Sequence, residues 1–305
     1  MSLAPQANPS ANKSQGETQA PRKQVSAQSL QAKKRRGEKI VSLTCYDYST
    51  AKILDEAGCV DFLLVGDSLA MTVLGHPNTL SVTVDEMLHH AKAVVRGAQY
   101  ALVIADMPFM SYQNDHASAI ANAARFLQEA GVTAVKIEGA SGRILEVIRH
   151  LSEIGIPVMA HLGLTPQSIH TLGGYKVQGK SIEAAKKLYE DALAVQEAGA
   201  FSLVLEMVPS ELAQVISQRL KIPTIGIGAG NGCDGQVLVI DDILGRYGDL
   251  SPRFVRRYVE SKPLIQQAAR QYAKETLSGD FPNNQREAFS FPTDLLPELM
   301  LALDS

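Results

Sequence analysis

Five carboxylates stand at one kind of place in this chain. Asp47, Asp67, Asp106, Glu138 and Glu206 each fall at or just beyond the end of a short β-rich run, and His161 does the same. Lys136 lies two residues before Glu138 in AVKIEG, so the two share one face of a strand and Val135 and Ile137 share the other. If the apolar pair packs outward on helices, the lysine and the acid point inward together. Charges turned inward are costly unless paired, so a group of acids with one lysine calls for a further positive partner. Hard oxygen donors, without sulfur and without a histidine pair at metal spacing, suit Mg²⁺ better than zinc. Asp67, Asp106 and Glu138, from three successive runs, are the candidate ligands. A cation there would polarise the carbonyl of an α-keto acid, and Lys136 would face its carboxylate or a developing enolate oxygen. Glu206 ends SLVLEMVP, flanked by Leu205 and Met207. It is a candidate for desolvation and therefore a candidate base for a carbon-bound proton. The plainer alternatives are a mutual salt bridge for the cluster, a helix cap for Asp67-Ser68, and a helix-start carboxylate for Glu206.

These residues converge only if the runs that carry them are parallel. The expected strands are 40–45, 61–66, 101–105, 133–137, 157–160, 201–205, 223–227 and 236–240, most of them continuously apolar, as strands covered on both faces are. Between them, helical stretches at 49–58, 115–131 and 181–199 each end in EAG, where glycine can close the helix in the left-handed conformation. Eight such units in about 250 residues match the (β/α)₈ TIM barrel, whose chemistry lies at the strand C-termini. A doubly wound open sheet fits less well, because no G-x-G-x-x-G follows the first strand. The expected organisation is one α/β barrel domain over 31–285, a disordered Ser/Ala/Gln-rich tail over 1–30, and a C-terminal appendage over 286–305 with an amphipathic turn at Leu295, Leu296, Leu299 and Leu301. Lys33-Lys34-Arg35-Arg36 reads as a solvated lead-in. Two loops stand out: 161–181, expected to act as a lid, and GIGAGNG at 226–232, whose clustered N–H groups could cradle an anion.

Bulk properties narrow the classes. With 305 residues, 45% hydrophobic and a formal charge of −3, the chain lacks the basic field of a nucleic-acid binder. It has no apolar run long enough to cross a bilayer, and no charged start with an apolar block behind it. Three widely spaced cysteines suit a reducing compartment, so the expected location is cytoplasmic.

The blocks TCYDYSTAKILDEAG, LLVGDSLAMTVLGHPNTLSVTVDEM, ADMPFMSY, AVKIEG, HLGLTPQSIHTLGGYKVQGK, LVLEMVP and IPTIGIGAGNGCDGQVLV run in order from about 40 to 240. In them the chain resembles the ketopantoate hydroxymethyltransferases. The resemblance implies a (β/α)₈ barrel with Mg²⁺, and hydroxymethyl transfer from 5,10-methylenetetrahydrofolate, as an iminium, to 3-methyl-2-oxobutanoate in pantothenate synthesis. It implies Asp67 and Asp106 as residues of both metal and keto acid, Ser68 and Lys136 as substrate residues, Glu138 as a metal residue and Glu206 as the proton acceptor. A homodecamer, a dimer of pentamers, is implied as well. Cys45 and Ser81 depart from the family's common alanine and proline. A Mg²⁺ aldolase or lyase acting on pyruvate-type substrates, and a Schiff-base aldolase using Lys136, are the rival enzymes. A barrel that only binds a keto acid is the non-enzymatic rival.

Overall fold

A computed structural model describes residues 22–246 and 252–304. Eight strands, β1 Ile40–Thr44, β2 Phe62–Val65, β3 Leu102–Asp106, β4 Ala134–Glu138, β5 Val158–Gly163, β6 Ser202–Glu206, β7 Thr224–Ile227 and β8 Gly235–Leu238, close in chain order into one barrel. The pairs from β1–β2 through β7–β8 are parallel, and Ile40 N–H donating to the Asp234 carbonyl at 3.0 Å ties the first strand to the residue before the last. Each expected strand is present, with its ends within two residues except at β5, which runs three residues further, to Gly163. The cause is that β2, β3 and β4 are buried along their whole length, which demands the continuous apolar runs that reveal them.

Alternation sorts the lumen into layers. Phe62 and Leu64, Leu102 and Ile104, Ala134, Met159, Val204 and Ile225 form one buried apolar cluster. Two residues further along the same faces come Asp106, Lys136, His161, Glu206 and Ile227. Apolar layers thus fill the lower barrel, and the charged residues make its top layer.

The expected tail ends too late. Residues 27–36 form a helix, Ala27–Arg36, closed at its start by a reciprocal Ser26–Ser29 capping box and at its end by Gly37 at φ 72°. Leu30 is fully buried in the lumen cluster beside Phe62 and Leu102, near the strand starts. Three of the four basic residues are paired rather than free lead-in charges: Lys33 lies 2.5 Å from Asp61, Lys34 lies 2.7 Å from both Asp234 and the Ser217 carbonyl, and Arg36 pairs on the surface with Glu38. Residues 1–21 of that segment lie outside the described residues.

The EAG stretches do close helices: Gly58, Gly131 and Gly199 have φ of +74°, +76° and +103°. The chain divides into two compact units between Val237 and Leu238. In the second unit the helix Ser261–Ser278 buries no side chain, and neither does Leu296–Leu303, a full two-turn helix where one turn was expected. Among the described residues no helix is long and apolar enough to cross a membrane.

Candidate active site

Strand register builds the centre. Asp106 on β3 pairs with Lys136 on β4, Glu138 with His161 on β5, and Gly163 with Glu206 on β6. Lys136 Nζ lies 3.2 Å from Asp106 Oδ1 and 3.9 Å from Glu138 Oε1. His161 Nδ1 lies 3.2 Å from Glu138 Oε1, and Nε2 lies 3.2 Å from Glu206 Oε2 without hydrogen-bond alignment. Lys136 Nζ is also 3.1 Å from His161 Nδ1; the ammonium has no lone pair, so the imidazole N–H can donate only to Glu138. The result is a row, Asp106–Lys136–Glu138–His161–Glu206, running across four strands.

Asp67 enters from the loop after β2. Its backbone N–H donates to Asp106 Oδ2 at 3.0 Å, which draws two carboxylate residues together. A Cβ on Gly66 would lie 2.9 Å from Ser68 Oγ, so the glycine leaves room for the Ser68 hydroxyl. Ser68 caps no helix through its side chain; its hydroxyl meets Tyr46 Oη at 2.8 Å instead. Asp67, Asp106, Lys136, Glu138 and His161 are all buried, and the Glu206 side chain keeps a little solvent contact.

Burial and repulsion set the charges. Desolvation, with Asp106 and Glu138 nearby, pushes the Asp67 carboxyl well above the usual range. Desolvation also raises Asp106, against the pull of Lys136. For Glu138 burial is outweighed by His161 and Lys136, and its carboxyl is held low. Burial opposes charge on Lys136, yet Asp106, Glu138 and Asp67 hold it above the ordinary lysine value. Burial and Lys136 oppose protonation of His161, but Glu138 and Glu206 prevail and raise it to about 9.

Asp47 does not join this group. It is exposed and accepts from the Thr50 N–H at 2.8 Å and from the Ser49 and Thr50 hydroxyls at 2.7 Å, capping the helix Tyr48–Glu56. GIGAGNG also has a packing explanation: a Cβ on Gly230 would lie 2.5 Å from Ser210 Cβ, and one on Gly232 2.6 Å from Gln214 Cβ. The long loop is partly folded, with a 3₁₀ turn Pro166–Ser168 and a short helix Ile169–Leu172. Its Tyr175 hydroxyl reaches 3.6 Å from Met71 Sδ, and Gln178 N–H donates to the Met207 carbonyl at 2.9 Å.

No group of three or more His, Cys, Asp or Glu gathers at metal-holding distances among the described residues. What remains is smaller. Asp67 and Asp106 are adjacent, and Asp106 Oδ1 is buried without an aligned hydrogen bond. Glu138 has both oxygens engaged, Oε1 by His161 and Oε2 by the Gln167 N–H at 3.0 Å. Two carboxylates with the remaining positions left to water and substrate fit Mg²⁺, which seldom takes an all-protein cage.

Two buried participants have no charge to betray them in the sequence: Gln167, in HLGLTPQS, and Tyr112, in ADMPFMSY. Both blocks stand out in the sequence, but nothing in either residue type predicts a place beside Asp67 and Glu138.

The sequence profile described as ketopantoate hydroxymethyltransferase matches residues 24–284. This chain belongs to the ketopantoate hydroxymethyltransferase family. It is therefore a transferase. It is 54% identical over 267 residues to the 3-methyl-2-oxobutanoate hydroxymethyltransferase of Nitratidesulfovibrio vulgaris, covering 88% of this chain and 86% of that protein. It is 51% identical over 275 residues to that of Syntrophomonas wolfei, covering 90% and 99%. Among solved structures, phosphonopyruvate hydrolase in complex with oxalate and Mg²⁺ aligns at TM-score 0.57 with 12% identity, over 91% of this chain and 95% of that one. A 2,3-dimethylmalate lyase aligns at 0.53 with 18% identity, over 92% and 94%. At such identities the likeness speaks for the barrel alone.

Proposed function

We propose that this family member transfers a hydroxymethyl group from 5,10-methylenetetrahydrofolate to 3-methyl-2-oxobutanoate, giving 2-dehydropantoate. The observation that carries the reading is the division of the top layer. The close carboxylate pair is Asp67, just after β2, and Asp106, at the end of β3, and Glu206 stands on β6 at the far end of the Lys136–His161 row.

In this proposal Asp67 and Asp106 hold Mg²⁺, with Glu138 adding its charge from β4. When bound, the ion supplies Lewis acidity toward the keto oxygen and carboxylate of the substrate. Lys136 and Ser68 orient the keto acid. Lys136 is held protonated by its acidic neighbours, which suits charge pairing and opposes a Schiff base. Glu206 takes the proton from C3, and the electron pair it leaves makes the C2–C3 double bond of the enolate. C3 then attacks the one-carbon unit delivered by the folate. One water supplies the hydroxyl oxygen as the folate nitrogen leaves, so keto acid, methylene folate and water become 2-dehydropantoate and tetrahydrofolate. His161, charged at neutral pH, steadies the Glu206 carboxylate between turnovers. The homodecamer and the cytoplasmic location belong to the same proposal; light scattering of the purified protein tests the first.

The assay is direct: 3-methyl-2-oxobutanoate and methylenetetrahydrofolate, with and without Mg²⁺, after chelation. The expected result is 2-dehydropantoate formed only when all three are present. Cleavage of pyruvate-type substrates without folate would favour the lyase reading, and a borohydride-trapped adduct on Lys136 would favour the Schiff-base aldolase.

A further inference from the structure

Gln167 carries no charge and belongs to no strand, yet its amide is fully used. Nε2 donates to Asp67 Oδ2 and to the Met107 carbonyl, each at 3.0 Å. Oε1 accepts from the Tyr112 hydroxyl at 2.7 Å and from Gln113 Nε2 at 3.0 Å. Two donors and two lone pairs are therefore satisfied, the complete capacity of the group. Rotating the amide by 180° would turn its oxygen on the Asp67 carboxylate and the Met107 carbonyl, so only one orientation is compatible with the site.

Polarity then propagates. The Tyr112 hydroxyl has a single hydrogen, given to Gln167 at 2.7 Å rather than to the Glu138 carbonyl at 3.5 Å, and it accepts the Glu138 N–H at 3.1 Å. Glu138 N–H, Tyr112 O–H and Gln167 N–H thus form a directed chain that ends on Asp67 Oδ2. The Gln167 backbone N–H, one residue after Pro166 in the 3₁₀ turn, returns to Glu138 Oε2. One residue of the loop that follows β5 therefore grips both carboxylates.

We propose that Gln167 is a positioning residue. By occupying Asp67 Oδ2 it aims the other Asp67 oxygen at the divalent cation, and it makes that aim depend on the seating of the loop. The metal part rests on the function proposed above; the positioning part does not. Binding donors to one oxygen of a buried carboxylate fixes its torsion, and loss of such a support usually costs about 10–100-fold in metal affinity.

The test uses Gln167→Met, which keeps length and apolar bulk and removes all four amide bonds, and Tyr112→Phe, which cuts the chain one link away at smaller risk to folding. Mg²⁺ alone is titrated by calorimetry into chelated protein, and crystal structures of the metal-free variants record the Asp67 torsion. For Gln167→Met the expected result is Mg²⁺ binding weaker by about 10–100-fold with a rotated Asp67. Tyr112→Phe should shift both in the same direction by less. Turnover lost at limiting Mg²⁺ should return largely at saturating Mg²⁺, which a merely structural defect would not produce. Wild-type Mg²⁺ affinity and an unmoved Asp67 in either folded variant overturn the proposal. If wild-type protein binds no Mg²⁺, the functional reading fails, and the Asp67 torsion in the variants still decides whether Gln167 positions it.

Discussion

Gly163 offers a way to move Glu206 without touching its side chain. The glycine ends β5 at φ +93° and is paired with Glu206 on β6. A Cβ added there would lie 2.2 Å from the Glu206 carbonyl oxygen and 2.8 Å from Val208 Cγ2, whereas ordinary contact begins at 3.4 Å. The Glu206 carbonyl is backbone, also held by the Leu164 N–H at 2.9 Å, and cannot swing aside as a side-chain tip would. In Gly163→Ala the end of β6 must retreat by roughly 1 Å to restore contact distance. The left-handed conformation adds about 1–2 kcal/mol of strain for an L residue. A displacement of about 1 Å at a reacting group can cost about 100-fold, so kcat should fall by that order. Asp67 and Asp106 lie on the far side of the row and are reached only through Gln167, four residues along the same loop, so Mg²⁺ affinity should fall by less than kcat, by under about 10-fold. The assay is steady-state turnover at saturating substrates, beside Mg²⁺ calorimetry and a thermal melt to establish the folded fraction. A folded Gly163→Ala with wild-type kcat would refute the claim that chemistry depends on where β6 places Glu206. A parallel collapse of metal binding would show that the two halves of the site are not separable.

Asp67→Asn should abolish most turnover while raising the Tm of metal-free protein by about 2–4 °C, the equivalent of roughly 1 kcal/mol in a domain of this size, because burial beside Asp106 and Glu138 penalises the charged aspartate; a lower Tm in calorimetry would contradict that repulsion. His161, raised to about 9, binds its proton more tightly in the folded state. It should therefore contribute on the order of 3 kcal/mol that is fully present below about pH 6.5 and lost as pH rises through 9. Urea melts of chelated wild type should show this loss, and His161→Gln should lack it; equal slopes would refute the charge assignment. Leu30→Ala should destabilise by about 2–5 kcal/mol in denaturant melts, as a large-to-small change in a core does, whereas a solvated tail would give no measurable change.

The barrel was legible because burial on both faces writes itself into sequence as uninterrupted apolar runs, and because acids recur at one offset from their ends. The same signal misplaced Asp47: it follows a strand, but the Ser49 and Thr50 hydroxyls and the Thr50 N–H next to it turn its carboxylate into a helix cap. The helix Ala27–Arg36 stayed hidden because AQSLQAKKRR offers little apolar pattern, and the burial of Leu30 depends on strands far away in the chain. Gln167 and Tyr112 were out of reach for a related reason. Their role lies in hydrogen-bond direction between loops, which residue type and spacing do not encode.

Enolisation isolates the central claim. Exchange of the C3 proton of 3-methyl-2-oxobutanoate in deuterated water, followed by NMR, needs neither folate nor carbon–carbon bond formation. Glu206→Gln keeps the size of the side chain and cannot accept the proton. With Mg²⁺ present the wild-type enzyme should exchange, and Glu206→Gln should exchange slower by about 10²–10⁴-fold while binding Mg²⁺ and keto acid normally. Exchange at the wild-type rate in that variant would contradict the account, leaving Glu206 a structural partner of His161 and the proton with another base.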